Sequence, residues 1–261
     1  MKCKALVFGD EVGIPVLMSI CRKIPADVVG LSWSNKVSDK DIKMIKSIEG
    51  IITPDFPYNS NTFSSLKSFI DNEKINLLLV YSYDLIFKSE ILDLQNVLKV
   101  NIHAGAVPDY RGANALNWSI INGMTALGVT IHEITPYVDS GPVIANFTVE
   151  IDLVDTVVSL QNKLNVKLVE SVPPILKSYV EGNLKAIPQE LLNHPYLKRR
   201  KPEDGLFDWN FSDKKIYDLI RALIRPWPGA RYYDKNGQLR IIREYMTMNE
   251  VKKLRDYENN K

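Results

Sequence analysis

The run Ile75 to Tyr81 (INLLLVY) constrains the fold more than any other stretch of the chain. Its apolar side chains fill both faces of an extended strand, and such a strand needs a covering layer on each side of its sheet. That is the environment of a central parallel strand. Lys4 to Phe8 (KALVF), closed by Gly9 and Asp10, reads as a buried first strand of the same kind. A helix is expected over 14–23, with Pro15 in its first turn, where a missing N–H costs nothing. Residues 27–31 read as a second strand and 61–72 as a helix. Strands alternating with helices imply crossover connections and a doubly wound, mostly parallel α/β sheet.

Further along, 97–100 is another apolar strand, 113–122 a helix, and 128–135 (GVTIHEIT) an alternating, half-exposed strand. A strand over 143–151 and a long helix over 155–179 follow, the helix bent or broken by Pro173-Pro174. Composition changes at Ile187, where prolines and the basic run Lys198-Arg199-Arg200-Lys201 begin. This divides the chain into a catalytic domain over 1–186, a linker over 187–202 and a small C-terminal subdomain over 203–261. In the subdomain, a helix over 212–223 precedes a hairpin, marked by Asn236-Gly237 between apolar runs. The charged tail from Asn249 is a surface helix.

Function classes can be excluded on composition. Of the 261 residues, 33 are basic and 31 acidic, a net charge of +2 that supplies no field for a nucleic acid. No apolar stretch approaches the length of a membrane span, and no leader pattern opens the chain, so a cytoplasmic protein is expected. Cys3 and Cys21 lack metal spacing and are expected to be buried, reduced thiols. The first strand ends in Gly9-Asp10-Glu11-Val12-Gly13, which is neither a dinucleotide fingerprint nor a P-loop.

The chemistry concentrates where the fourth strand runs out, at Asn101-Ile102-His103-Ala104-Gly105-Ala106-Val107-Pro108. Residues two apart in extended chain project to one side, so Asn101 and His103 share a face. Open α/β sheets bind ligands at the carboxyl ends of their strands. A histidine works as acid or base near neutral pH when a partner sets its tautomer, and Asp139, in the turn-rich loop 136–142, fits that part. Asn101 offers an amide N–H to an oxygen gaining charge. The set suits direct transfer of an acyl group to an amine, since no nucleophile elbow is present. Spacing alone leaves a structural His103 equally open. Of the other two histidines, His132 reads as a side chain on one face of its strand and His194 as a surface residue of the linker. No zinc site is expected.

The segment N-I-H-A-G-A-V-P-D-Y-R-G-A-N, followed by G-V-T-I-H-E-I-T-P-Y-V-D-S-G-P-V-I, resembles the folate-dependent formyltransferases. The match covers Ile75 to Ile151 well and implies a Rossmann-like fold. It places Asn101, His103 and Asp139 on the family's catalytic positions and implies N10-formyltetrahydrofolate as the formyl donor. By the same resemblance the pterin is held by the segment Tyr81, Ser82, Tyr83, Asp84, Leu85 and Ile86, and by the loop Thr135, Pro136, Tyr137 and Val138. The Tyr81 and Tyr83 side chains are equally well explained by packing.

Among family members, GDEVG lacks the phosphate loop of the ribonucleotide enzyme, and the C-terminal segment is shorter than the barrel of the methionyl-tRNA enzyme. The chain looks most like the nucleotide-sugar N-formyltransferases, acting on an acceptor such as dTDP-4-amino-4,6-dideoxyglucose for surface polysaccharide (O-antigen) synthesis. Arg111, Tyr196, Lys198, Arg200 and Arg221 are then candidates for the nucleotide and its pyrophosphate, Arg presenting a planar fork to phosphate oxygens. Partners are expected to be the nucleotide sugar and folate, with no nucleic acid and no membrane. A homodimer is expected through the C-terminal hairpin with Tyr232, Tyr233 and Ile241. A methionyl-tRNA or ribonucleotide formyltransferase, a formyl hydrolase and a non-catalytic folate-binding scaffold remain the alternatives.

Overall fold

Strand β1 (Cys3–Gly9) pairs in parallel with β2 (Ala26–Trp33) on one side and β3 (Leu77–Tyr81) on the other, and β3 pairs in parallel with β4 (Leu98–His103). The direction then reverses: β5 (Ala126–Glu133) runs antiparallel to β4, and β6 (Val143–Glu150) closes the six-stranded order β2-β1-β3-β4-β5-β6. This computed structural model describes residues 3–33, 37–47, 63–190 and 196–259; His194 lies outside them. The expected class, a mostly parallel α/β sheet with a separate small hairpin sheet, is what the chain forms.

Leu77, Leu78 and Leu79 are fully buried, as a strand covered on both faces requires. On one face Leu6, Phe8, Leu78 and Val80 pack with Leu66 and Ile70 of helix α3 (Phe63–Glu73) and with Phe87 and Ile91. Burying each large side chain contributes roughly 1.5–3 kcal/mol. Helix α1 (Gly13–Cys21) follows β1 directly, and two short helices that the sequence did not announce, α2 (Asp39–Lys46) and α4 (Ser89–Leu92), complete the first half. Strand β5 is buried along most of its length rather than half-exposed, because it lies between β4 and β6.

Past α5 (Ala115–Ile121), helix α6 (Val157–Val180) runs through Pro173 and Pro174 as one element, so of the two expected outcomes, bent or broken, the break does not occur. A proline at 173 leaves the carbonyl of Val169 without its helical donor. Lys23 Nζ supplies one, at 3.0 Å. Leu160, Leu164, Leu168, Val172 and Leu176 repeat every fourth residue and are all fully buried, which holds the helix in register.

Two compact units result, interleaved along the chain: Met1–Asp109, Val129–Phe147 and Asn165–His194 form one, and Tyr110–Gly128, Thr148–Leu164 and Pro195–Lys261 the other. The start of the expected linker is bound into the first unit, with Ile187 and Val143 exchanging backbone hydrogen bonds of 2.7 and 2.8 Å. In the second unit, α7 (Asp213–Ala222) begins at Ser212, whose side chain accepts from Lys215 N. Strands β7 (Ala230–Tyr233) and β8 (Leu239–Ile242) form the hairpin, and α8 (Met248–Asn259) follows. Tyr232 is not on the hairpin's exposed side: its ring lies 5.4 Å from Phe207 and 4.9 Å from Trp209.

Both thiols are buried. Loss of hydration pushes Cys3 up to about 11, with the Asp27 charge adding to it, and pushes Cys21 up to about 12. Neither is a thiolate at pH 8. Adduct counting by mass spectrometry should find both cysteines unmodified by a thiol reagent in the native protein and both modified in denaturant. Rapid native labelling would contradict this burial.

Candidate active site

Antiparallel pairing of β4 with β5 sets Asn101 opposite His132 and His103 opposite Thr130. Side chains directly across an antiparallel pair share a face. Asn101, His103, His132 and Thr130 therefore project from one side of the sheet at the carboxyl end of β4. Thr130 fastens the chain beyond His103: its hydroxyl donates to Gly105 O at 2.8 Å and accepts from Val107 N at 3.3 Å.

Asp139 reaches this face from the loop joining β5 to β6. Its Oδ2 lies 3.5 Å from His103 Nδ1 and its Oδ1 3.3 Å from His132 Nε2, while Asn101 Nδ2 donates to Oδ1 at 3.3 Å. The side chains of His103, His132 and Asp139 are 10%, 3% and 12% exposed, so their charges interact through little water. The His103 ring stands 6.4 Å from that of His132. The three residues expected from sequence are thus brought together. With Nδ1 of His103 directed at a carboxylate, the proton sits on Nδ1 and Nε2 is left as the base.

His132 is the member that sequence reasoning missed. Its Nδ1 lies 2.7 Å from Glu133 O, a carbonyl that can only accept, so Nδ1 carries a proton. Asn101 Nδ2 lies 3.1 Å from His132 Nε2, and an amide nitrogen can only donate, so the neutral ring accepts there. A protonated ring would instead donate to Asp139. The signal was present in the alternation of β5, but it acquires meaning only once the pairing register with β4 is known.

The loop carrying Asp139 is tightly tied. Ser140 Oγ donates to Tyr137 O at 2.9 Å and lies 2.8 Å from Thr135 Oγ1, and Glu133 N donates to Pro142 O at 2.9 Å. Tyr179 OH donates to Glu133 Oε1 at 2.6 Å; burial first, and then that carboxylate, raise the phenol's pKa and keep it a donor. Asp139 has φ 47°, the left-handed region. A Cβ at Gly141 would lie 1.8 Å from Glu133 O, so the loop closes onto β5 only with glycine there.

Of the segment expected to hold a pterin, Tyr81 pairs with Ile102 at the end of β3 and its OH donates to Asn165 Oδ1 at 3.1 Å. The Tyr83 ring packs on Phe8 and Phe87 at 5.4 and 5.8 Å. Both side chains pack, which leaves backbone groups for any ligand. Ser82 (φ 52°) turns the chain out of the sheet, Asp84 and Leu85 are half-buried, and Ile86 is exposed. In the second stretch Thr135 is half-buried while Pro136, Tyr137 and Val138 are exposed. At the turn after β1, Asp10 Oδ1 accepts from Val12 N at 3.0 Å and Gly13 N at 2.8 Å, and Oδ2 from Ser82 Oγ at 2.6 Å. A carboxylate of the chain itself thus occupies the amides that open α1.

Within the second unit the Arg111-Gly112 turn meets the segment from Tyr196 onward. Leu197 N donates to Arg111 O at 2.6 Å, and a Cβ on Gly112 would lie 2.4 Å from Leu197 O. Four of the five candidate substrate contacts, Arg111, Tyr196, Lys198 and Arg200, are therefore neighbours along this bridge. Arg200 lies over the Trp118 ring at 4.3 Å and donates to Asp204 O at 2.6 Å. Arg221 does not join them. It is 2% exposed and donates to Asp218 Oδ1 at 2.8 Å and to the carbonyls of Asp152 and Asp155 at 3.2 and 2.6 Å. Its fork is spent inside the unit, which removes it as a pyrophosphate ligand.

The formyl transferase family model matches residues 24–174, more than half the chain, and the model of the formyl transferase C-terminal domain matches 199–253. The chain belongs to the formyl transferase family. The chain is 32% identical over 236 residues to the bifunctional polymyxin resistance protein ArnA of Wigglesworthia glossinidia brevipalpis, covering 88% of the chain but only 36% of that protein. It thus spans about a third of that relative's length. Its fold matches a sugar N-formyltransferase from a Shewanella species, with a TM-score of 0.71 at 18% identity over 95% of this chain and 99% of that one. It also matches HypX from Aquifex aeolicus in complex with tetrahydrofolic acid, with a TM-score of 0.66 at 18% identity over 92% of this chain and 37% of that one.

Moving a catalytic group on the order of 1 Å costs about 100-fold in rate. Gly141→Ala should force the Asp139 loop off β5, lowering kcat by about 100-fold or more with the far-UV circular dichroism unchanged. Steady-state kinetics checks this, and near-normal turnover would mean that the loop moves without consequence.

Proposed function

We propose that this formyltransferase moves a formyl group from N10-formyltetrahydrofolate to the amine of a nucleotide-linked amino-deoxysugar of the dTDP-4-amino-4,6-dideoxyglucose type. The reading rests above all on Asn101, His103 and Asp139 converging at the end of β4 in a chain of this family. A folate donor is supported by the HypX fold neighbour bound to tetrahydrofolic acid. It is also supported by the apolar Ile86, Tyr137 and Val138 lying exposed in the two stretches beside the cluster, where a flat ring can cover them. The sugar acceptor is supported by the Shewanella neighbour. It agrees with Asp10 holding the amides after β1, which repels a phosphate at the place where a ribonucleotide acceptor would need one.

When bound, the donor supplies an electrophilic formyl carbon, to which the acceptor amine adds and from which N10 departs. Asn101 turns the N–H that faces His132 Nε2 towards the oxygen on which negative charge develops. His103 takes the proton of the attacking amine at Nε2 and returns it to departing N10, so no net proton is consumed. Asp139 holds the Nδ1 proton and stabilises the imidazolium in between. Asp139 is held at its other oxygen, Oδ1, by the second N–H of Asn101 Nδ2. Arg111, Lys198 and Arg200 are the proposed cations for a pyrophosphate and Tyr196 the proposed ring for a base. The exposed apolar side chains of the hairpin, Tyr233, Leu239 and Ile241, support a homodimer.

A formylation assay with N10-formyltetrahydrofolate against a panel of dTDP- and UDP-linked amino sugars, with charged initiator tRNA and glycinamide ribonucleotide alongside, tests the acceptor. Turnover should be confined to one or more nucleotide sugars, and formylation of tRNA or the ribonucleotide alone would overturn the reading. In the same assay His103→Ala and Asp139→Ala should fall to background while keeping the wild-type melting profile. Near-normal turnover by His103→Ala would sink the mechanism.

A further inference from the structure

Gln189 lies in the stretch that composition marks as linker, yet it reaches the loop that carries Asp139. The backbone exchange between Ile187 and Val143 brings it there. Its Nε2 donates to Asp139 O at 3.0 Å and to Gly141 O at 2.6 Å. One side-chain amide thus holds the carbonyls on either side of Ser140. Its Oε1 is buried and has no hydrogen-bond partner among the described residues. Leaving an amide oxygen buried and unpaired is unfavourable. Turning the amide over would set Oε1 against two carbonyl oxygens, which is worse, so the orientation is fixed by the loop.

The loop needs such a hold. Asp139 is a non-glycine residue at φ 47°, a conformation that persists only where the surroundings impose it. Ser140, Thr135 and Glu133 tie the loop to itself and to β5. Gln189 comes from outside it and bonds the carbonyl of Asp139 itself.

We infer that Gln189 is a positioning residue: its amide fixes the left-handed backbone of Asp139 and so aims the carboxylate at His103 and His132. The inference rests on Asp139 acting as proposed above. Gln189→Leu keeps the side chain's bulk and removes both donors, and Gln189→Met does so with a more adaptable chain, should Leu disturb folding.

The test is steady-state kinetics of full-length wild type, both Gln189 variants and Asp139→Ala across pH, with the accepted amino sugar and N10-formyltetrahydrofolate. We expect kcat of the Gln189 variants to fall by about 10- to 100-fold, in line with misplacement of a catalytic group. Both KM values should stay within about threefold, because uniform binding is untouched. The acid limb of the kcat profile should move to lower pH, because a carboxylate displaced from His103 no longer favours its protonated form. A purely structural role predicts lower melting temperature with kcat and that limb unchanged, and this result overturns the inference. So does a rise in KM alone. Wild-type kinetics in the Gln189 variants beside an inactive Asp139→Ala would reject the inference and leave the catalytic reading standing. An active Asp139→Ala would reject both.

Discussion

The pairing of β4 against β5 is the interaction on which the site depends. Four strands, β1 to β4, run the same way, and crossover connections of that kind cannot bring two neighbouring strand ends together from opposite directions. The reversal at β5 does so. It places His132 across from Asn101 and Thr130 across from His103, and it delivers the next loop, with Asp139, to the end of the sheet where β4 runs out. A slip of one residue would move His132 to the opposite face and lose the triangle of Asn101, Asp139 and His132. Buried β5 side chains such as Leu127, Val129 and Ile131 hold that register, because a slip would also turn them out of the core.

Much of this was legible in the chain. INLLLVY and KALVF announced a sheet covered on both faces, because burial on both sides of a strand leaves a continuous apolar run. Asn101, His103 and Asp139 could be selected because their types suit one chemistry and their local sequences mark strand ends and turns. What sequence did not yield was anything that depends on which strand lies beside which. His132 resembles any histidine on an alternating strand until its neighbour is known. Gln189 sits among prolines that suggest a linker, and its role comes from a backbone bridge to Val143 across more than forty residues.

Arg221, and the break that was one of two outcomes expected at the prolines of α6, went astray for a different reason. Charge near other charges suggests surface, and paired prolines suggest a break, when the local chain is considered alone. In the folded protein Arg221 meets Asp218 and two carbonyls in the interior. The carbonyl of Val169, orphaned by Pro173, receives Lys23 from another part of the chain. In both cases a distant group satisfies a polar atom that would otherwise forbid the arrangement.

The interleaving of the two units bears on how the protein can be dissected. The second unit is not a module appended after residue 194, since it also takes Tyr110–Gly128 and Thr148–Leu164 from the middle of the chain. Asn117 on α5 donates to Ala222 O at the end of α7, and the carbonyl of Asp155 receives Arg221. Cutting the chain before α7 would strip these partners from residues that remain, leaving Asn117 and the Asp155 carbonyl without their bonds. A chain shortened in this way would lose these bonds along with any substrate contacts, so its inactivity alone would not identify what the C-terminal segment recognises. Swapping that segment between relatives meets the same obstacle unless the two internal stretches travel with it.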